Sequence, residues 1–253
     1  MTTSATDTDA RRAPALRGQT LVVIGGSSGM GLETARHARA EGAEVVLVGR
    51  NRGRLEHAAT EVGASGTAAF DATDPDALQR FFAGLPGPVG HVMVTGPGPY
   101  YAPLADLDHE RTQRDWDAHM WLAIEVARLS VGRVQAGGTL LFMSGTGGRK
   151  RGPGLSLAAA GSAALPALIA NLAVEVAPIR VNLIAAGFVD TPLSASLLGD
   201  DLETRRAHLR ATLPIGRVVG PADIAALAVH IMTNTALTGA TFDIDGGEQL
   251  VGA

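Results

Sequence analysis

The sequence predicts an α/β fold, a doubly wound parallel sheet with helices on both faces and a single domain, from three observations. Short apolar runs recur along the chain, as strands buried on both faces of a parallel sheet require. Segments of helical pattern separate them, and a β–α–β alternation of this kind implies right-handed crossovers. The third observation is the stretch LVVIGGSSGMGLETARHARAEGAEVVLVGR, which packs strand, glycine turn, helix and strand into about thirty residues.

Within that stretch, residues 21–24 make the first strand, and Gly25, Gly29 and Gly31 follow with Ser27, Ser28 and Met30 between them. Glycine permits a tight turn and lets backbone N–H groups approach a pyrophosphate, while the N-terminus of the helix behind adds partial positive charge. The helix is expected over 31–40 and the second strand over 44–48. Glycines in this strand–turn–helix setting point to a dinucleotide site; alone they would describe only a loop.

The remaining elements follow in order. A short helix is expected over 54–62, strand three over 67–70, a helix over 76–85 and strand four over 92–94. The turn after strand four is Thr95-Gly96-Pro97-Gly98-Pro99-Tyr100-Tyr101, and a long helix is expected over 110–131. Strand five covers 139–143, with a Gly/Arg-rich loop at 145–154. Residues 155–174 carry no charge and are long enough to cross a membrane, but they are Ala-rich, contain Gly161 and Pro166, and sit inside the βα series. A buried or interface helix is the better reading. Strand six covers 179–184, a charged lid is expected over 194–212, a helix over 221–232 and a last strand over 240–244. Residues 1–17 read as a flexible polar tail before a single domain over 18–253.

Composition limits the function classes. The 253 residues carry a formal charge of −4, which gives no basic footprint for nucleic acid, and 46% are hydrophobic, enough for a sizeable core. Cysteine is absent, so there is no disulfide, thiol nucleophile or thiolate metal site, and no metal is expected. The first twenty residues hold no continuous apolar segment, so neither a secretory signal nor a membrane partner is expected and the location expected is cytoplasmic.

Several ordered segments resemble the short-chain dehydrogenase/reductase family from about residue 18 to the end. IGGSSGMG resembles its TGxxxGxG loop, with Ile24 where Thr is usual, and FDATD resembles its adenine-contacting Asp segment. LAVEVAPIRVNLIAAGFVDTP resembles the stretch that leads to its PG…T motif, with Ala186 replacing Pro, and LPIGRVVGPADIAALAVHIMTNTALTGATFDIDGG resembles its C-terminal block. The resemblance implies a Rossmann-type sheet, a nicotinamide cofactor and a small-molecule substrate. It places Asp71 and Ala72 near the adenine, Gly96 and Gly98 in the turn beside the cofactor, and Val189 and Thr191 at the carboxamide. Asp71 could equally be a turn residue, and Thr191 could cap the turn that follows it. The Ala-rich helix resembles the one through which family members pair, which implies a homodimer or homotetramer. At the end of strand two, Gly49-Arg50-Asn51 stands where an acidic residue would bind the ribose of NAD, and Arg50 suits a 2′-phosphate, so NADP(H) is favoured over NAD(H).

The catalytic set of the family departs from the pattern. A Tyr-x-x-x-Lys motif cannot occur, because the only tyrosines are Tyr100 and Tyr101 and the only lysine is Lys150. Counting back from LAVEVAP puts Ala158 at the Tyr position and Ser162 at the Lys position; Gly145 falls where the reactive serine would be. The Asn position falls near His119, or at Trp121 if the register shifts by two. Tyr100, His119 and Ser144 are the candidate replacements: a proton donor or aromatic wall, a group that titrates near neutrality, and a hydroxyl for a substrate oxygen. Packing, helix-internal and strand-end roles stand beside each of these. Arg149-Lys150-Arg151, at the mouth of the expected pocket, would attract an anionic substrate or partner unless it is only a solvated loop. Two functions follow: an NADP(H)-dependent oxidoreductase acting on an iminium ion, quinone or activated enone, which needs no strong protein acid, or a nucleotide-binding protein of the same fold without redox activity, as sensor, scaffold or non-redox isomerase, lyase or cyclase.

Overall fold

The computed structural model describes residues 15–96 and 98–251. Its elements run β1 (Thr20–Ile24), α1 (Gly29–Ala40), β2 (Glu44–Gly49), α2 (Arg52–Val62), β3 (Gly66–Ala69), α3 (Pro75–Ala83) and β4 (Val89–Val94). There follow α4 (His109–Trp116), α5 (Leu122–Ser130), β5 (Val134–Gly145), α6 (Ser156–Glu175), β6 (Arg180–Ala186), α7 (Pro192–Leu198), α8 (Leu202–Thr212), α9 (Pro221–Thr233) and β7 (Thr241–Ile244). The seven strands form one parallel sheet in the order β3-β2-β1-β4-β5-β6-β7, a doubly wound α/β fold.

Alternation along β1 shows how the two faces are filled. Val22 and Ile24 join a cluster with Leu78 and Phe82 of α3, Val126 of α5 and Ile169 of α6. Leu21 and Val23 join the opposite one, with Ala35 of α1, Leu55 of α2 and Ile224 and Ile231 of α9. Successive strand side chains point to opposite faces, so an apolar run with no polar alternation demands helices on both.

Four expectations shift. The tail stops short of residue 17: Leu16 is fully buried and its N–H donates to Glu41 O at 2.9 Å, while residues 1–14 lie outside those described. The expected helix over 110–131 is interrupted by a π-turn at Asp117–Trp121, which joins α4 to α5. Strands four and five begin earlier than their apolar cores, because β4 and β5 extend into polar and glycine-rich sequence that pairs with its neighbours. The segment expected as a lid over 194–212 falls on two helices, α7 and α8, which part at Gly199, where φ is +52°.

Helix α6 is the one helix among the described residues long and apolar enough to cross a membrane. Its Leu165, Ile169, Leu172 and Ala173 pack against the sheet, whereas Val174 is 78% exposed on the outer face. The sheet end nearest α9 is closed by Arg180, whose buried guanidinium donates to the carbonyls of Ile231 at 2.9 Å and Met232 at 2.8 Å, and to Asn234 and Leu237 beyond them. A cation there satisfies the carbonyls a helix C-terminus leaves open.

His91 of β4 is buried next to this arginine, with Nε2 2.8 Å from Gln19 Oε1 and Nδ1 without a partner. Burial, and then the Arg180 charge, lower its pKa to about 4. The folded state therefore prefers the neutral ring, so this contribution is complete above the unfolded value near 6.5 and is lost as pH falls toward 4. The expected full loss is on the order of 3 kcal/mol. Thermal unfolding followed from pH 7 to 4.5 should show Tm falling, and His91→Gln should flatten that slope; an equal slope in the variant refutes the assignment.

Candidate functional site

Both halves of the site lie at the carboxyl ends of the strands, where the order reverses between β1 and β4 and a crevice opens. Gly25 follows β1 with φ +90°, and a Cβ there would collide with Thr95 Oγ1, so the turn admits only glycine. Gly31 faces the same limit, with a Cβ 2.5 Å from Gly25 O. Gly29 opens α1 at φ +55°, with nothing nearer to a Cβ than Thr191 at 3.6 Å. Ser28 is the N-cap of α1 yet its side chain makes no capping bond, so the first N–H groups of a twelve-residue helix face the crevice unclaimed by it. Ser27 lies beside Gly49 at the end of β2, and Arg50 follows, exposed and without an ion pair among the described residues. A positive helix end, a cradle too tight for side chains and a free guanidinium fit a dinucleotide with a 2′-phosphate.

Other expected cofactor residues hold local roles. Asn51 Oδ1 accepts Arg54 N–H at 2.9 Å and so caps α2. Asp71 Oδ1 accepts from Thr73 N at 3.0 Å and Thr73 Oγ1 at 2.8 Å, a turn that leaves its second oxygen over. Ala72 packs partly buried against the core. Thr191 caps α7 in a reciprocal pair with Ser194, whose hydroxyl also donates to Val189 O. Gly98 rests against Leu193.

One cavity of about 350 Å³ joins the two sides: Met30, Gly96, Val189 and Thr191 line it together with His119 and Ser144. Ala158 and Ser162 also line it, and Ser162 Oγ is 3.9 Å from where a Cβ on Gly145 would be. The positions paired by sequence thus meet in space, without a phenol or an ammonium group.

His119 owes its setting to the π-turn. Its Nδ1 lies 2.8 Å from the backbone oxygen of Asp115, an acceptor only, so Nδ1 carries the proton and Nε2 is the free end. The ring stacks beside Gly96, where a Cβ would be 3.5 Å from Nε2, and the Asp115 carboxylate is 3.6 Å from Nδ1. π-turns recur at functional sites because they redirect a side chain out of the regular ladder.

Tyr100 lies outside the cavity lining. Its ring is buried under the Arg111 guanidinium at 4.2 Å, and its hydroxyl donates to Asp106 O at 3.4 Å and accepts Asp108 N–H at 3.2 Å. The packing role fits it: Tyr100 ties the turn to the start of α4. Its neighbour Tyr101 lines the cavity instead, half-exposed, its hydroxyl pKa raised by burial and then by the Asp115 charge. In an irregular loop no periodicity says which of two adjacent tyrosines turns inward. Asp115 carried a signal that sequence reasoning passed over, since it precedes His119 by one helical turn. Arg205 and Glu248, which also line the cavity, carried none.

The enoyl-(acyl carrier protein) reductase family matches the chain over residues 24–249. Short-chain dehydrogenase/reductase ATR9 of Stachybotrys chlorohalonatus is 29% identical over 94% of this chain and 99% of its own. The NADP-dependent (R)-specific alcohol dehydrogenase of Lentilactobacillus kefiri is 28% identical over 92% and 97%. Among solved structures, the MalC reductase/Diels-Alderase of Malbranchea aurantiaca superposes with a TM-score of 0.85 at 26% identity, covering 94% of this chain and all of the other.

The tight turn makes a direct prediction. Gly31→Ala should destabilise the fold by about 1–3 kcal/mol, because its methyl group meets the Gly25 carbonyl. Calorimetry should show Tm lower by several degrees; an unchanged Tm would mean that the turn relaxes freely.

Proposed function

The chain belongs to the short-chain dehydrogenase/reductase family, and we propose that within it the protein is an NADP(H)-dependent oxidoreductase with a nonstandard active site, moving hydride to or from a small molecule. The observation that carries this reading is the single cavity in which Met30, Gly96, Val189 and Thr191 meet His119 and Ser144. The glycine cradle with Ser27, Ser28 and the α1 N-terminus holds the pyrophosphate, Arg50 the 2′-phosphate, and the free oxygen of Asp71 the adenine edge. Preference for NADP(H) also draws on the relative from Lentilactobacillus kefiri, which is named as NADP-dependent.

When bound, the nicotinamide supplies the hydride. This chain's own residues supply position and protons. Ser144 donates its hydroxyl to a substrate heteroatom, and His119, whose Nδ1–H is held by Asp115, presents the Nε2 lone pair on the Gly96 side of the cavity, where it takes a proton from water or substrate and can return it. Ala158 and Ser162 leave the wall without the usual phenol and ammonium, which suits an iminium ion, quinone or activated enone over a plain ketone. A second copy covering the outer face of α6, where Val174 is exposed, completes the reading as a homo-oligomer, and a cytoplasmic location belongs to it.

A second reading is favoured by the same departure. A cavity in which Ala158 and Ser162 stand at the family's Tyr and Lys positions also serves a redox-silent, nucleotide-binding protein, and the Malbranchea neighbour is named for a Diels–Alder reaction as well as a reduction.

Titration with NADPH and NADH, followed by nicotinamide fluorescence, is the first test. Arg50→Ala should weaken NADPH about 10- to 100-fold while leaving NADH nearly unchanged. His119→Ala should then retain NADPH affinity and lose turnover in an electrophile panel. Failure of both dinucleotides to bind would sink the oxidoreductase; binding with no turnover on any electrophile would favour the redox-silent reading.

A further inference from the structure

Of the basic run 149–151, only Lys150 reaches the cavity. Arg149 pairs with Asp243 at 2.6 Å outside it, and Arg151 donates to the backbone carbonyls of Gly148 and Lys150. In the cavity wall Lys150 meets Arg205 of the lid helix α8, and both reach one carboxylate oxygen: Lys150 Nζ is 2.8 Å and Arg205 Nη2 2.6 Å from Glu248 Oε1. The carboxylate is the buried member, its side chain 9% exposed, while those of Lys150 and Arg205 keep 41% and 31%. Its second oxygen, Oε2, lies against Gly187, where a Cβ would sit 2.9 Å away, and Oε1 holds the two cations side by side.

Glu248 does not saturate the two cations: Lys150 and Arg205 each spend one of their three and five N–H groups on it among the described residues, while the other carboxylate that lines the cavity, Asp115, lies on α4 beside His119. The nearby acids on the lid side are taken: Asp190 and Glu203 both pair with Arg206. We propose that Lys150 and Arg205 form an anion-recognition site in the substrate cavity, so that the substrate carries a carboxylate. A guanidinium fork and an ammonium point charge side by side match a planar carboxylate held between them. The site is separate from Arg50: three strand spacings, about 14 Å, part β2 from β5, after which Lys150 lies. The inference rests on the reading of this cavity as the substrate site, but its test needs neither cofactor nor turnover.

The test is calorimetric titration of the full chain with phenylacetate, phenylacetamide and phenyl phosphate, without nucleotide and at low salt. Phenylacetate should bind about tenfold or more tightly than its neutral amide. Lys150→Gln and Arg205→Gln should each remove most of that preference while leaving amide binding as it was. Glu248→Gln should strengthen phenylacetate binding, a gain that no folding defect produces; cooperative thermal unfolding of each variant checks the fold. Equal affinities for acid and amide, no binding of either, a preference that survives both cation substitutions, weaker binding in Glu248→Gln, or phenyl phosphate binding more tightly than phenylacetate would each overturn the proposal. A protein that fails to bind NADPH yet shows this pattern loses the oxidoreductase reading and keeps the anion site.

Discussion

Thr95 Oγ1 lies 3.2 Å from the carbonyl oxygens of both Ile24 and Gly25, and much of the molecule follows from that contact. It ties the end of β4 to the end of β1 at the point where the strand order reverses. Because the hydroxyl comes so close, the first turn residue can have no Cβ, and the glycine-rich turn is as much a packing requirement of the sheet as a feature of binding. Once the two strand ends are pinned, the N-terminus of α1 and the turn carrying Gly96 face one crevice. The helices on both faces then follow from the apolar strands, since a parallel sheet offers no face to water.

Charge is placed by the same economy. Arg180 is buried because it completes the C-terminal end of α9, and the ring of His91 must stay neutral beside it. Lys150, Arg205 and Glu248 come from the loop after β5, the lid and the C-terminal turn, three segments distant in sequence that converge only because β5, β6 and β7 lie side by side. The first group holds the framework shut. The second faces the cavity with N–H groups to spare, the arrangement expected where a ligand supplies further acceptors.

The catalytic side was partly legible. A sequence without Tyr-x-x-x-Lys announces its departure by composition, and His119 and Ser144, read from their place in the chain, do line the cavity. Tyr100 does not, because the turn after β4 has no regular period from which to read side-chain direction, and the stabilising partners of that ring, Arg111 and the start of α4, come later in the chain. The π-turn at Asp117–Trp121 was likewise invisible, because one wider turn leaves no mark in the apolar spacing around it.

What the sequence by itself determined is whatever local physics writes into neighbouring residues. Apolar runs give buried strands, a strand followed by glycines and a helix gives a turn with no room for side chains, and an arginine instead of an acid follows β2. What only the tertiary structure decided is which distant groups meet. The tautomer of His119, the inward turn of Tyr101 and the sharing of one Glu248 oxygen by Lys150 and Arg205 depend on distances set by sheet order and helix packing. Hydrogen bonds and ion pairs require contact within about 4 Å, so no spacing along the chain could have stated them.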